Sequence, residues 1–174
     1  MDIRCARIED FMKVTSFYKY VIKNTPEMET YARWIYGQHP TDAMILNYIK
    51  QEAMYLLEAE DTIIGAMAVT MYQSDDYHGI NWKIDATDDE VAVLHILCVN
   101  PDYQNHGIGK RLIRESILIA QKDRKKAVHL DALKSNTPAH RMYQSLGFDH
   151  RGTKHQYAEN TGWTDFLFFE RSIE

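Results

Sequence analysis

The sequence predicts an α/β (α+β) fold with a strand–helix–strand–helix centre, and three observations carry that expectation. Val91 to Val99 is a nearly continuous apolar run, as in a central strand covered on both faces. From about Gly107 to Arg124, the residues Ile108, Leu112, Ile113, Ile117 and Ala120 fall on one helical stripe. Val128 to Leu133 then reads as a short strand. After it, Ala139, Met142, Tyr143 and Leu146 share a helix face that starts beside Pro138 and stops at Gly147.

The remaining elements follow in order. Ile3 to Ala6 is a short first strand. Glu9-Asp10 opens a helix to about Lys23, with Phe11, Val14, Tyr18, Val21 and Ile22 at helical spacing. Asn24-Thr25-Pro26 breaks it, and Glu27 to Tyr36 reads as another helix ending near Gly37. Thr41 is an N-cap for a helix through Met44, Ile45, Tyr48 and Ile49. Ala53 to Ala59 and Thr62 to Met71 form a hairpin about Glu60-Asp61. Residues 73–89 read as a long excursion, of a kind that often lines a site. Two strands, near Phe148 to Tyr157 and Phe166 to Arg171, finish the chain.

The 174 residues suit a single domain spanning 1–174, with no repeat or Pro/Gly/Ser-rich linker to divide it. A net charge of −5 lacks the basic excess of a nucleic-acid binder. No stretch approaches the ~18 apolar residues of a membrane helix, and the N-terminus lacks a secretory h-region. Two cysteines, Cys5 and Cys98, are too few for a disulfide framework, so a soluble, cytoplasmic protein is expected. Neither nucleic acid nor membrane is an expected partner. The eight histidines form no His-x-x-x-His pattern and the cysteines no Cys-x-x-Cys, so no metal is expected.

The most informative stretch is Leu97-Cys98-Val99-Asn100-Pro101-Asp102-Tyr103-Gln104-Asn105-His106-Gly107-Ile108-Gly109-Lys110. A strand leads into a turn, and two glycines open a long amphipathic helix. The first helical turn has unpaired N–H groups and a partial positive charge, and glycine lets a ligand approach the main chain closely. That combination makes an anion site, which Lys110 and Arg111 could reinforce. Neither the nucleotide-triphosphate loop nor the three-glycine dinucleotide fingerprint is matched. By itself the segment is equally a tight strand–helix turn.

Gln104-x-x-Gly107-x-Gly109, preceded by Leu97-x-Val99-x-Pro101, resembles the Arg/Gln-x-x-Gly-x-Gly/Ala motif of the GCN5-related N-acetyltransferase (GNAT) superfamily. Asn136-Thr137-Pro138-Ala139-His140-Arg141-Met142-Tyr143-Gln144-Ser145-Leu146-Gly147-Phe148 is similar to its second signature, Asn-x-x-Ala-x-x-x-Tyr-x-x-x-Gly-Phe. The resemblance is close over residues 91–148 and looser over Ile3–Asp10 and 53–71. It implies a mixed central sheet with splayed central strands and helices on both faces. It further implies transfer of an acetyl group from acetyl-CoA directly to a primary amine, small-molecule or peptide, by an enzyme that is by family habit often a dimer.

Site roles are implied in the same way. Main-chain N–H groups of Asn105, His106, Gly107, Ile108, Gly109 and Lys110, after Gln104, would hold the pyrophosphate of coenzyme A. Leu97, Cys98 and Val99 would pair with the pantetheine arm, the Val99 N–H acting as an oxyanion donor. Asn136 would bond the arm, or else simply cap its helix. Tyr143 would protonate the departing thiolate, or else be a core tyrosine whose hydroxyl finds a partner. For the base there are three candidates: His95, Glu90 and ordered water. The strand Leu94 to Pro101 is similar to that of the serotonin N-acetyltransferases, which carry two histidines two residues apart; here the second position is Val93, which leaves that substrate unsupported. A thiol nucleophile at Cys98 has no marked base beside it. Trp34, Tyr36, Tyr77, His78 and Trp82 are candidates for the acceptor pocket. The alternative function is a non-catalytic acyl-CoA-binding regulatory domain; a different acyl donor is a third reading.

Overall fold

The structure is a computed structural model and describes residues 2–173. Seven strands form one sheet in the order β1-β2-β3-β4-β5-β7-β6. These are β1 (Asp2–Cys5), β2 (Met54–Ala59), β3 (Thr62–Thr70), β4 (Val91–Val99), β5 (Ala127–Leu133), β6 (Asp149–Ala158) and β7 (Gly162–Ser172). Every neighbouring pair is antiparallel except β4 and β5. The helices are α1 (Phe11–Asn24), α2 (Asp42–Lys50), α3 (Ile108–Lys122) and α4 (Thr137–Ser145).

Helix α3 buries the stripe the sequence marks, including Leu112, Ile113 and Ala120, against one sheet face with Leu94, Val128, Leu130 and Tyr143. Helices α1 and α2 cover the other face through Val14, Tyr18, Val21, Ile45 and Ile49. Gly65 on β3 makes room for this packing, because a Cβ there would sit 2.8 Å from Leu112. The hairpin turns at Glu60 and Asp61, both left-handed (φ 48° and 63°), as a two-residue turn between twisted strands requires. The Thr41 side chain caps α2 by accepting from the Met44 N–H.

Two sequence expectations fail. Glu27 to Tyr36 is not a helix but a run of turns ending in a bridge between Ile35 and His39. Left-handed backbone at Glu27 (φ 57°) and Arg33 (φ 56°) bounds the segment and stops a helical ladder from propagating. The last strand begins at Gly162 rather than near Phe166, because β6 and β7 pair continuously out to Ala158↔Gly162.

The 73–89 excursion is pinned to the sheet by a buried polar network. Gln73 donates through Nε2 to Asp88 (2.8 Å), so its Oε1 accepts from His129 Nδ1 (2.8 Å). His129 Nε2 faces Glu170 Oε2 at 3.0 Å, and Glu170 also accepts the N–H groups of Lys83 and Ile84. Trp82 stacks on the His129 ring at 3.7 Å. Burial alone would raise the Glu170 carboxyl, but these bonds hold it below the usual range.

The feature that matters most for function is a break in the sheet. Strands β4 and β5 pair only at Val91↔Ala127, Ala92↔Val128 and Val93↔His129. Beyond that point β4 pairs with β3 alone and β5 with β7 alone, leaving a wedge between them. A bulge in β4 sits at its mouth: Ala68 opposes His95 but Ala66 opposes Cys98, so Ile96 and Leu97 share one partner position. Ile96 takes a left-handed φ of 40°, rare for a β-branched residue. The buried Tyr18 hydroxyl holds the bulge by donating to the Ile96 carbonyl at 2.8 Å.

Candidate active site

One cavity of about 960 Å³ runs through the wedge, lined by β4, β5, the first turn of α3, α4 and the 25–39 segment. Its two ends are built differently.

At one end stands the glycine segment. Gly107 caps α3 with φ 76° and nothing within 4 Å of a would-be Cβ, so it is required by conformation and not by space. Gly109 is the reverse case: a Cβ there would meet Met142 Sδ at 3.0 Å. The first helical bond is from Arg111 N to the Gly107 carbonyl, so the N–H groups of Ile108, Gly109 and Lys110 have no helical acceptor. Gln104, Asn105, Gly107, Ile108, Gly109 and Lys110 all line the cavity. His106 does not; its ring folds back on the Gln104 carbonyl at 2.7 Å.

Leu97, Cys98 and Val99 line the next stretch. The Asn100 N–H donates to the Ile64 carbonyl across to β3, so by strand alternation the Val99 N–H points the other way, into the wedge. Cys98 packs in the core under α1, where burial pushes its thiol far above the ordinary range and away from the thiolate a nucleophile needs. Asn136 occupies the N-cap position of α4 and lines the cavity, yet its side chain makes no cap hydrogen bond. The simple capping role is therefore absent.

Tyr143 lies on the α3/α4 side of the sheet, between Phe148 and Phe169 (5.7 Å to the latter). Burial, with the charge of Asp131 behind it, raises its phenol well above the ordinary value. Its hydroxyl bonds no described residue although its ring lines the cavity. The hydroxyl is therefore open to the cavity.

On the opposite side of the sheet are His95 and Asp131, each two residues past the last β4–β5 pair, Val93↔His129. Since side chains alternate along a strand, both share the face that Val93 and His129 present to the excursion. The His95 ring stacks on Tyr48 at 5.5 Å, and its Nε2 lies 3.1 Å from Thr70 Oγ1. Thr70 spends its one hydroxyl proton on the Tyr72 carbonyl (2.9 Å), so it can only accept from His95. The neutral ring therefore carries its proton on Nε2 and leaves the Nδ1 lone pair open, without a described partner. Burial, then the neighbouring His39, pull His95 down to about 4.

Asp131 was not singled out by the sequence. It lies deep in the wedge, where burial raises its carboxyl even though Tyr77 donates a hydrogen bond to it. Tyr77 comes from the 73–89 excursion, so that loop contributes to the site through Asp131 while itself lying beneath the cavity wall. Of the five aromatic candidates, only Trp34 lines the cavity; Tyr77 and Trp82 are packed under it against Val93, Phe168 and His129. Tyr36 bonds Asp42, and His78 bonds Asp88, away from the cavity. The aromatic walls are instead Tyr31, Trp34, Tyr48, Tyr103 and Phe166. Glu90 is held by Lys126 and the Thr87 N–H at the closed end of β4, outside the cavity. Among the described residues, Asp75, His78 and Asp88 bring ligand-type atoms within 4.8 Å of one another, exposed and also outside the cavity.

A sheet split between its two parallel strands, with a helix N-terminus at one end of the split, makes a cleft for an extended anionic ligand. Residues 11–148 match the acetyltransferase (GNAT) family, and the chain belongs to it. It is 24% identical over 149 residues to an uncharacterised N-acetyltransferase of Methanocaldococcus jannaschii, covering 83% of this chain and 57% of that one. The chain thus spans just over half the length of that relative. In fold it is similar to the ribosomal-protein-alanine N-acetyltransferase of Brucella melitensis (TM-score 0.73, 19% identity, 99% of this chain and 100% of that one). It is also similar in fold to a Salmonella typhimurium protein whose structure holds its cofactor acetyl-CoA (TM-score 0.72, 19% identity, 100% of this chain and 94% of that one). No helix among the described residues is long and apolar enough to cross a membrane.

Proposed function

We propose that this chain, as one transferase domain, moves an acetyl group from acetyl-CoA directly to a primary amine in the cytoplasm. The observation that carries it is the wedge with an unpartnered phenol on one side and an open carboxylate and imidazole lone pair on the other. Acetyl-CoA supplies the acyl group as an activated thioester. The residues fit it: free N–H groups of Ile108, Gly109 and Lys110 suit a pyrophosphate, as Asn136 and the unpaired edge of β4 suit an amide-bearing arm. The Val99 N–H, aimed into the wedge, stabilises negative charge on the carbonyl oxygen as the amine adds.

Acid and base work from opposite faces of the sheet. As the C–N bond forms and the C–S bond breaks, Tyr143 gives its proton to the departing thiolate. Burial keeps the phenol protonated until a strong base appears beside it. The amine's proton goes to the acceptor face. There burial weakens His95 as a base and strengthens Asp131, so Asp131 takes the proton and the His95 Nδ1 lone pair orients the amine N–H. Nothing in this scheme needs a metal or an acyl-cysteine.

The test is thiol release from acetyl-CoA across a panel of amines, with Tyr143→Phe and His95→Ala alongside. Release that depends on an added amine and on Tyr143 supports direct transfer. Saturable acetyl-CoA binding with no turnover on any amine would replace it with the regulatory reading.

A further inference from the structure

We infer, building on the transfer reading above, that the acceptor is a small primary amine on an apolar or aromatic body with no carboxylate of its own, bound as the cation by Asp131. Three observations converge on it. First, the charges that reach the cavity are segregated. Lys110 and Arg141 stand on α3 and α4, at the donor end, whereas the acidic residues Glu27 and Asp131 come from the 25–39 segment and β5. At the acceptor end burial pulls both imidazoles, His39 and His95, below their ordinary value, the Arg33 guanidinium at the rim is turned to the Thr161 carbonyl, and no described cation pairs with Asp131. An ammonium satisfies that carboxylate, whereas a carboxylate next to the amine would sit against Asp131 unpaired.

Second, Tyr48 and Phe166 come near Asp131 in the cavity wall, and Trp34 lines the same cavity against His39, which suits an apolar body. Third, the rim is tied across. Asn160 Nδ2 donates to the Arg33 carbonyl (2.8 Å) and Arg33 Nη2 to the Thr161 carbonyl (3.2 Å). Nearby, Ser135 Oγ donates to the Tyr31 carbonyl at 3.0 Å. Tyr31, Trp34, Asn160 and Thr161 all line the cavity, so these bonds join the 25–39 segment to the β6–β7 turn over its acceptor end. A small amine fits beneath that bridge. An extended peptide has to break it.

The experiment compares 2-phenylethylamine, L-phenylalanine and an alanine-initiated hexapeptide as acceptors for the full chain with acetyl-CoA. The first two differ only by the carboxylate. The expected result is a kcat/KM for 2-phenylethylamine about 100-fold or more above both others. Asp131→Asn should remove saturable binding of 2-phenylethylamine, read by calorimetry, while acetyl-CoA still binds. Should Asp131→Asn not fold, Asn160→Ala serves in its place: cutting the bridge should raise hexapeptide turnover and leave acetyl-CoA affinity unchanged. Equal rates for the two phenyl amines would overturn the charge argument, and a preferred hexapeptide would overturn the closed pocket, with the transferase reading intact in both cases. Absence of acetyl-CoA binding to the native chain would instead remove that reading, and this inference with it.

Discussion

The two ends of the cavity solve recognition by different means. The donor end is made of main chain: a left-handed glycine, three N–H groups without acceptors, and a strand edge freed by the wedge. The acceptor end is made of side chains that meet from separate elements: His95 from β4, Asp131 from β5, Tyr48 from α2, Trp34 from the 25–39 turns and Tyr77 from the excursion. A main-chain site fixes the spacing of its glycines and helix start but tolerates varied side chains. A side-chain site fixes identities and leaves no local spacing. The donor end is therefore a property of the fold, and the acceptor end a property of this chain.

That contrast can be broken by substitutions at either end. The largest effect is expected from Tyr143→Phe, which removes the acid: kcat should fall ~10²–10⁴-fold with acetyl-CoA affinity little changed, read from steady-state rates and calorimetry. Next is Glu170→Gln, which leaves His129 facing a neutral amide in the core. Breaking a buried pair costs ~3–5 kcal/mol, so the urea midpoint should drop, and the acceptor KM should rise as Tyr77 loses its anchorage on Asp131.

The pH dependence is smaller and tests His95. Its folded value, about 4, lies below the ordinary 6.5, so between these values the unfolded chain binds the extra proton. Stability from this group is complete above pH 6.5 and declines as pH falls towards 4, by roughly 3 kcal/mol at most. His95→Gln should flatten the melting-temperature profile in that window. The smallest effect belongs to the donor end: Gly107→Ala meets no atom but forces a left-handed alanine, at ~1–2 kcal/mol. It should weaken acetyl-CoA binding and leave the acceptor KM alone.

The same division explains how much the sequence revealed. The run Val91–Val99, the stripe of α3 and the glycines at 107 and 109 are local patterns, and each stands where the sequence puts it. The split in the sheet was expected only through family resemblance; nothing in the apolar run of β4 encodes where its pairing with β5 stops. Asp131 sits in a short strand where the alternation His129-Leu130-Asp131 is that of an ordinary half-buried strand, which hides it. A charged residue two positions past a histidine on that same face was the available signal. Tyr77 and Trp82 differ from their expected place for the opposite reason. Aromatics in a long excursion suggest a pocket wall, but here they form the packing that holds the excursion down, and one hydroxyl reaches through to the site. Glu27 to Tyr36 carried helical composition, and the left-handed residues that interrupt it are a glutamate and an arginine, neither of which announces a turn.

The most direct measurement pairs calorimetric titration of acetyl-CoA with amine-dependent thiol release for the native chain and for Asp131→Asn. The account predicts saturable binding of equal affinity in both, with release confined to the native chain. Native protein that shows no saturable binding, or Asp131→Asn that releases thiol at the native rate, would contradict it.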